Sequence, residues 1–422
     1  MPKVSKLGRA SLMIRAAKAS LFMALSLAMS ADPGFPQSPQ WRTLPNAPVS
    51  TGRMDDVFFI NPSLGWVLSN NYNSDSTAFL GDIWKTMDGG ATWALQITLN
   101  QYLRSVGFAD SLTGWVGTVF DPDSLLYHTT DGGTTWALVQ NIPEPRPLGI
   151  CGISVVNDSV MYASGRYSGP ARVIKTTDRG ANWTSFDLYP LADNLVDCRF
   201  FSPDSGFVVG SIGADYHTGY GRVLFTSDGG STWATRYAGT RSEELCWKIQ
   251  FLNRTTGYVS IENFSLGPTY YLKTTDGGGT WSDELFLNTP YEVQGIGFAT
   301  DSLGWMGGWG GDTFETTDAG ASWHLAGFGY IVNRFRFLSD KLAYAVGETV
   351  YKYELIRVPG DLNGDGNFTA ADIVLLINCV FQQTGECDLS FTDLNCNGGL
   401  SAADIVTLIN VVFQEIPVTC TP

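Results

Sequence analysis

Two twelve-residue stretches near the C-terminal end, beginning at Asp361 and Asp393, repeat one arrangement: oxygen-bearing side chains at positions 1, 3, 5, 9 and 12, and glycine at position 6. In the first, the oxygens belong to Asp361, Asn363, Asp365, Thr369 and Asp372, with Gly366 at the turn and the carbonyl of Asn367 at position 7. In the second they belong to Asp393, Asn395, Asn397, Ser401 and Asp404, with Gly398 and the carbonyl of Gly399. A glycine-hinged loop that converges carboxylate, amide and carbonyl oxygens suits a hard cation with many oxygen ligands, which is Ca2+. Two ions are expected, one on Asp361, Asn363, Asp365, Asn367 and Asp372, the other on Asp393, Asn395, Asn397, Gly399 and Asp404. Asn397 stands where the first loop has Asp365, so the second site carries less charge and is expected to be the weaker. Histidine supplies no second chemistry: His128, His217 and His324 show no Ser or Cys partner spacing for a nucleophilic triad.

The elements that position other reactive groups follow from a repeat. A nine-residue pattern recurs six times, as KTMDGGATW, HTTDGGTTW, KTTDRGANW, FTSDGGSTW, KTTDGGGTW and ETTDAGASW. Its aspartates are Asp88, Asp131, Asp178, Asp228, Asp276 and Asp318, spaced by the 40 to 50 residues of a four-stranded propeller blade. Asp followed by Gly gives a tight turn in which the carboxylate accepts backbone N–H groups. The closing Trp93, Trp136, Trp183, Trp233, Trp281 and Trp323 each open a strand and offer a large ring to pack between sheets.

A second motif sets the blade number. An apolar residue followed seven positions later by an aromatic occurs seven times: Phe59 and Trp66, Phe108 and Trp115, Val155 and Tyr162, Phe200 and Phe207, Phe251 and Tyr258, Phe298 and Trp305, Phe337 and Tyr344. The seventh has no Asp turn and no Trp strand after it, while Gln40 to Leu44 resembles those Trp strands. The N-terminal segment is therefore expected to supply the outer strand of blade 7 and close the ring. The nine-residue pattern resembles the bacterial neuraminidase repeat, or Asp box. Its combination with seven Phe-to-Gly-Trp hairpins, over about residues 40 to 355, is similar to the photosystem II stability and assembly factor family. The resemblance implies an all-β seven-bladed β-propeller. Related repeats occur in sialidases, xyloglucanases, sorting receptors and assembly chaperones, so it implies no single activity.

The C-terminal stretches read DLNGDGNFTAADIVLLINCVF and DLNCNGGLSAADIVTLINVVF. Each loop is EF-hand-like, has Asp at position 12 and is followed by one helix, expected over Asp372 to Phe381 and Asp404 to Phe413. The duplicated loop and helix resemble a type I dockerin over about 359 to 416, and a small α-helical domain is expected over 359–420. The resemblance implies a cohesin-type partner. Partner choice in that family depends on positions 10 and 11, where this chain has Ala370 with Ala371 and Ala402 with Ala403, small apolar residues in place of hydroxyls. An intramolecular role against the propeller is the alternative.

Residues 1–31 place Lys3, Lys6, Arg9, Arg15 and Lys18 ahead of the apolar run Leu21 to Met29, the pattern of a secretory signal peptide. The expected product is secreted or cell-surface associated, with no membrane span once the signal is removed. Loss of that segment takes the formal charge from -15 to -20, and so acidic a surface repels phosphate backbones, which argues against nucleic acid as a partner. Cys379, Cys387, Cys396 and Cys420 crowd the C-terminal region, allowing three local disulfide pairings, whereas Cys151, Cys198 and Cys246 read as buried thiols.

In a propeller the loops entering each innermost strand and following the second strand face the ligand, and the Asp turns face away. Register places Asp56, Ser105, Gly152, Asp197, Lys248, Gly295 and Arg334 around the channel mouth, with Asp55, Arg104, Cys151, Val196, Trp247, Gln294 and Asn333 one step earlier. Asp56 and Asp197 are the candidate catalytic carboxylates, because glycoside hydrolysis needs an opposed pair. Tyr72, Tyr216, Tyr220, Phe264 and Trp309 are candidate stacking surfaces. Arg53, Arg104 and Arg334 could hold a substrate carboxylate, but no Tyr and Glu pair of the sialidase kind stands out. The expected function is a binding or scaffold protein whose propeller takes a glycan or protein ligand at the channel mouth. The alternative is a dockerin-borne glycoside hydrolase in polysaccharide degradation.

Overall fold

The computed structural model describes residues 39–72, 79–309, 311–355, 358–363, 367–384, 387, 389–414, 416 and 418. The chain divides into two compact units, Pro39–Glu354 and one that contains Leu355–Pro422. The segment 1–31 lies outside the described residues. Among those described, no helix is long and apolar enough to cross a membrane.

The larger unit is seven antiparallel four-stranded sheets. Blades 1 to 7 start with the strands Met54–Phe59, Leu103–Phe108, Gly152–Val155, Asn194–Phe200, Glu244–Phe251, Val293–Phe298 and Arg334–Ser339. Each of these strands packs on the next, and that of blade 7 packs on that of blade 1, so they form the wall of a central channel. Blade 7 has three strands of its own, and Gln40–Thr43 pairs antiparallel with Val350–Glu354, Trp41 opposite Tyr353. The ring thus closes by hydrogen bonds between chain ends, and blade 7 gains its fourth, outer strand. Trp41 stacks on Phe328 at 4.7 Å and meets Trp305 edge-on at 5.5 Å, which joins blade 7 to blade 6.

The hairpin aromatics form the seams. Trp66 of blade 1 stacks on Phe108 of blade 2 at 3.5 Å, Tyr162 on Phe200 at 3.5 Å, Tyr258 on Phe298 at 3.8 Å, and Tyr344 of blade 7 on Phe59 of blade 1 at 3.6 Å. The glycine before the aromatic exists for this packing: a Cβ at Gly65 would lie 2.5 Å from the Phe59 ring, and one at Gly114 2.4 Å from Phe108. Blade 3 has Val155 in place of Phe, and there Trp115 stacks on His128 at 5.1 Å.

The six Asp turns share one hydrogen-bond scheme. In the first, Asp88 Oδ1 accepts Thr86 Oγ1 at 2.8 Å and the Thr92 N–H at 2.9 Å, Oδ2 accepts Thr92 Oγ1 at 2.5 Å, and the Gly90 N–H donates to Thr86 Oγ1. These donors hold Asp88, Asp131, Asp276 and Asp318 at about 2. The carboxylates are consumed within the turns, a structural use.

In the smaller unit, helices span Ala370–Gln382 and Ala402–Gln414, with a four-residue helix at Leu389–Thr392 between them. Both long helices begin two residues ahead of the expected start, because Thr369 and Ser401 act as N-caps. Thr369 Oγ1 accepts the Ala371 N–H, Ser401 Oγ accepts that of Ala403, and Asp372 and Asp404 reach back to the cap N–H groups. Ile373, Leu376, Leu394, Ile405 and Leu408 form the core. Cys379 and Cys387 form a disulfide and Cys396 is also disulfide-bonded, while Cys420 lies outside the described residues. Cys151, Cys198 and Cys246 are buried and free.

Candidate functional site

Asp56, Asp197 and Arg334 enter the channel from blades 1, 4 and 7 and meet. Arg334 donates from Nε to Asp56 Oδ1 at 3.0 Å, and from Nη1 and Nη2 to Asp197 Oδ2 and Oδ1 at 2.9 and 3.1 Å. Asp56 Oδ2 also accepts the Val106 N–H of blade 2, and Asp197 Oδ2 that of Ile249 in blade 5. One guanidinium therefore ties five blades across the axis. Gly152 makes room for this, since a Cβ there would lie 2.7 Å from the Asp197 Cα. Burial pushes the Asp197 carboxyl upward, but Arg334 and Lys248 beside it outweigh that and hold it below the usual carboxylate range. Asp56 and Asp197 are both buried, at 1 % exposure. The carboxylates expected at the mouth are thus buried within the channel, because they close on Arg334 across it.

The ring one step earlier forms a second closed network. Asp55, fully buried, pairs with Arg53 Nη2 at 2.5 Å and with Arg104 Nη1, and Asn70 Nδ2 donates to its other oxygen at 3.0 Å. Arg53 also donates to Gln294, whose amide donates to Glu262 at 2.6 Å. Burial raises Glu262 to about 8, so it is neutral at pH 7. Trp247 donates to Asn333 at 2.9 Å, and Asn333 donates to the Asp55 carbonyl at 2.6 Å. Arg53 and Arg104 therefore share Asp55 while Arg334 bridges Asp56 and Asp197, and no triad of free arginines forms among the described residues.

Of the expected stacking residues, Tyr216 and Phe264 come together at 5.8 Å with His217 and Tyr167 over the buried Trp247. Trp309 covers the Arg53 guanidinium at 4.6 Å and stays half exposed. Tyr72 packs on Phe79 at 5.3 Å, beside Tyr102 and Phe120. Sequence reasoning missed Tyr102, Phe120 and Tyr167, which register alone could have placed on the same loops. Tyr220 is exposed.

The two oxygen-rich loops differ in how much of them is described, Asp365 lying outside. Asp361, Asp372 and Asp404 are buried at 1 %, 0 % and 0 % exposure. In the second loop Asp404 Oδ1 accepts the N–H groups of Leu394 and Asn395, and Asp393 accepts those of Asn397 and Gly398. Gly398 adopts a φ of 84°, the left-handed turn foreseen at position 6. No group of three His, Cys, Asp or Glu converges among the described residues, since the second loop brings only two carboxylates and amides supply the rest. Residues 359–422 hold eight carboxylates and no Lys, Arg or His. Buried Asp372 and Asp404 thus have no counter-cation in their own module, and a divalent cation fits. Both long helices expose the same apolar face, Val374, Ile377 and Phe381 at 56 %, 36 % and 69 %, and Val406, Ile409 and Phe413 at the same three values.

A seven-bladed propeller joined to a paired loop-helix module is the class defined by these features. Residues 359–412 match the model of the dockerin type I domain. Type I dockerin domains bind calcium, and dockerin domains bind cohesins. The photosystem II assembly lipoprotein Ycf48 of Synechococcus sp. (strain CC9902) is 29% identical over 156 residues, 36% of this chain and 41% of the relative's length. The solved structure of Ycf48 bound to D1 peptide is similar with a TM-score of 0.55 at 17% identity, covering 78% of this chain and 99% of that one. An ancestral GH74 enzyme is similar with a TM-score of 0.51 at 16% identity, covering 78% and 47%. At such identities the structural likeness shows the propeller fold, which binding proteins and hydrolases share.

Proposed function

We propose that the chain is an exported, non-catalytic binding propeller, attached to a cohesin-type partner or cell-surface assembly through a calcium-loaded dockerin. The observation that carries the first half is the Arg334 clamp. A glycosidase needs one carboxyl kept protonated and one free to attack or to activate water. Asp197 is held ionised, and both it and Asp56 spend their oxygens on Arg334 and on backbone N–H groups. A glycan or peptide fits the aromatic loops around Trp309, Tyr216 and Phe264 better than a reacting centre does.

For the tail, the calcium ligands would be Asp361, Asn363, Asp365, Asn367 and Asp372, and Asp393, Asn395, Asn397, Gly399 and Asp404. The ions would neutralise the buried aspartates and fix both helices, whose matching apolar faces then meet the partner. Dockerin domains occur in secreted or cell-surface proteins, which agrees with the signal-like segment 1–31. The test incubates the full chain, with Ca2+, on plant, bacterial and sialylated glycans while following retention and released sugars. Retention without release is expected. Release that disappears in Asp56→Asn or Asp197→Asn would make the chain a hydrolase.

A further inference from the structure

We propose that the channel, toward its Asp-turn end, is a binding site for a small oxyanion held by Lys248, Arg199 and Arg336. These residues come from the first strands of blades 5, 4 and 7 and line one cavity of about 140 Å3 with Asp197, Arg334 and Gln250. The other polar groups there are already committed. Arg334 serves Asp56 and Asp197, and Gln250 both donates to and accepts from the backbone of Phe298. Lys248 is 2 % exposed and its Nζ has no hydrogen-bond partner.

Arg336 donates to the Val57 carbonyl at 3.4 Å and lies 4.6 Å over the Phe58 ring. Arg199 lies 5.8 Å from the Phe201 ring and keeps access to solvent. Among the described residues no carboxylate forms an ion pair with any of the three. A buried ammonium without an acceptor is strongly unfavourable unless something completes it. Here a chain of net charge -15 gathers three cations that form no ion pair around one partly open cavity, of which Lys248 is the buried one, and a cleft lined by one predominant sign of charge focuses its field. Burial, reinforced by Arg334 and Arg104 and opposed by Asp197 and Asp56, brings Lys248 down to about 7. Burial, opposed by Asp56 and Asp197 and reinforced by Arg334 and Arg199, brings Arg336 to about 10. An anion seated among these groups would offset that repulsion and accept from the orphan Nζ.

The test uses the full chain with Ca2+ and three probes, sulfate, inorganic phosphate and acetate, read by calorimetry and by melting temperature. Saturable binding of at least one of them is expected, and the comparison tells a tetrahedral from a carboxylate site. Lys248→Met and Arg336→Gln should each weaken binding by roughly tenfold or more. Sulfate does not titrate in the neutral range, so its affinity for the unaltered chain should fall as pH rises through the Lys248 value, and that dependence should vanish in Lys248→Met. Lys248→Met relieves a buried charge and should melt at least as high as the parent, which separates lost binding from lost folding. No saturable binding by any probe, or a melting shift of equal size in parent and Lys248→Met, overturns the proposal.

Discussion

Arg334 shows how little of a site's meaning lies in a residue's type. The same guanidinium that could hold a substrate carboxylate holds two of the protein's own, and its removal would leave Asp56 and Asp197 buried with backbone N–H donors and, for Asp197, the neighbouring Lys248. Arg334→Met is expected to destabilise the propeller by about 3 to 5 kcal/mol, and Arg334→Lys to recover only part of that, since an ammonium cannot make the forked contact; thermal unfolding checks both. The Asp turns give a pH signature. Their carboxyls lie near 2 against an ordinary 3.8, so the stability they add is complete above about pH 4 and is lost as pH falls toward 2. Melting temperature measured over that interval should drop steeply, and Asp88→Asn should flatten the drop. Register along the first strands was enough to gather Asp56, Asp197, Lys248 and Arg334 from the sequence. That Arg334 closes the set, and that Asp55 does the same for Arg53 and Arg104, was not legible, because it depends on side chains from blades far apart in the chain.

At the scale of elements, the strand Gln40–Thr43 matters most. It completes blade 7, and Trp41 fills the seam beside Trp305 and Phe328. Deleting residues 40–44 is expected to lower the melting temperature of the whole propeller, and Trp41→Ala to cost about 3 kcal/mol; an unchanged transition would contradict closure by this strand. Gly65→Ala forces a methyl against the Phe59 ring and should destabilise by about 1 to 3 kcal/mol. These elements were readable because each blade repeats its turn, its Trp and its hairpin aromatics, so a missing member was visible as a gap. The helix starts were less readable. Thr369 and Ser401 read by position as loop oxygens, and the structure uses them as caps, since the last residues of the loop lead straight into the first turn of the helix.

The whole molecule is two units of different charge character. A channel with unpaired cations lies in the propeller, and a module of eight carboxylates without a single base follows it. Composition and repeat period carried the fold, whereas the ligand of the propeller depends on loop surfaces that repeat from no blade to the next. Attachment through a calcium-dependent tail is tested by titrating Ca2+ into the full chain calorimetrically and then measuring its capture by immobilised cohesins with and without chelator. The expected result is two ions bound, the weaker at the loop containing Asn397, with capture that requires Ca2+ and is lost in Asp361→Ala combined with Asp393→Ala while the propeller still melts as before. Capture indifferent to chelator, or calcium binding unchanged in the double variant, would contradict it.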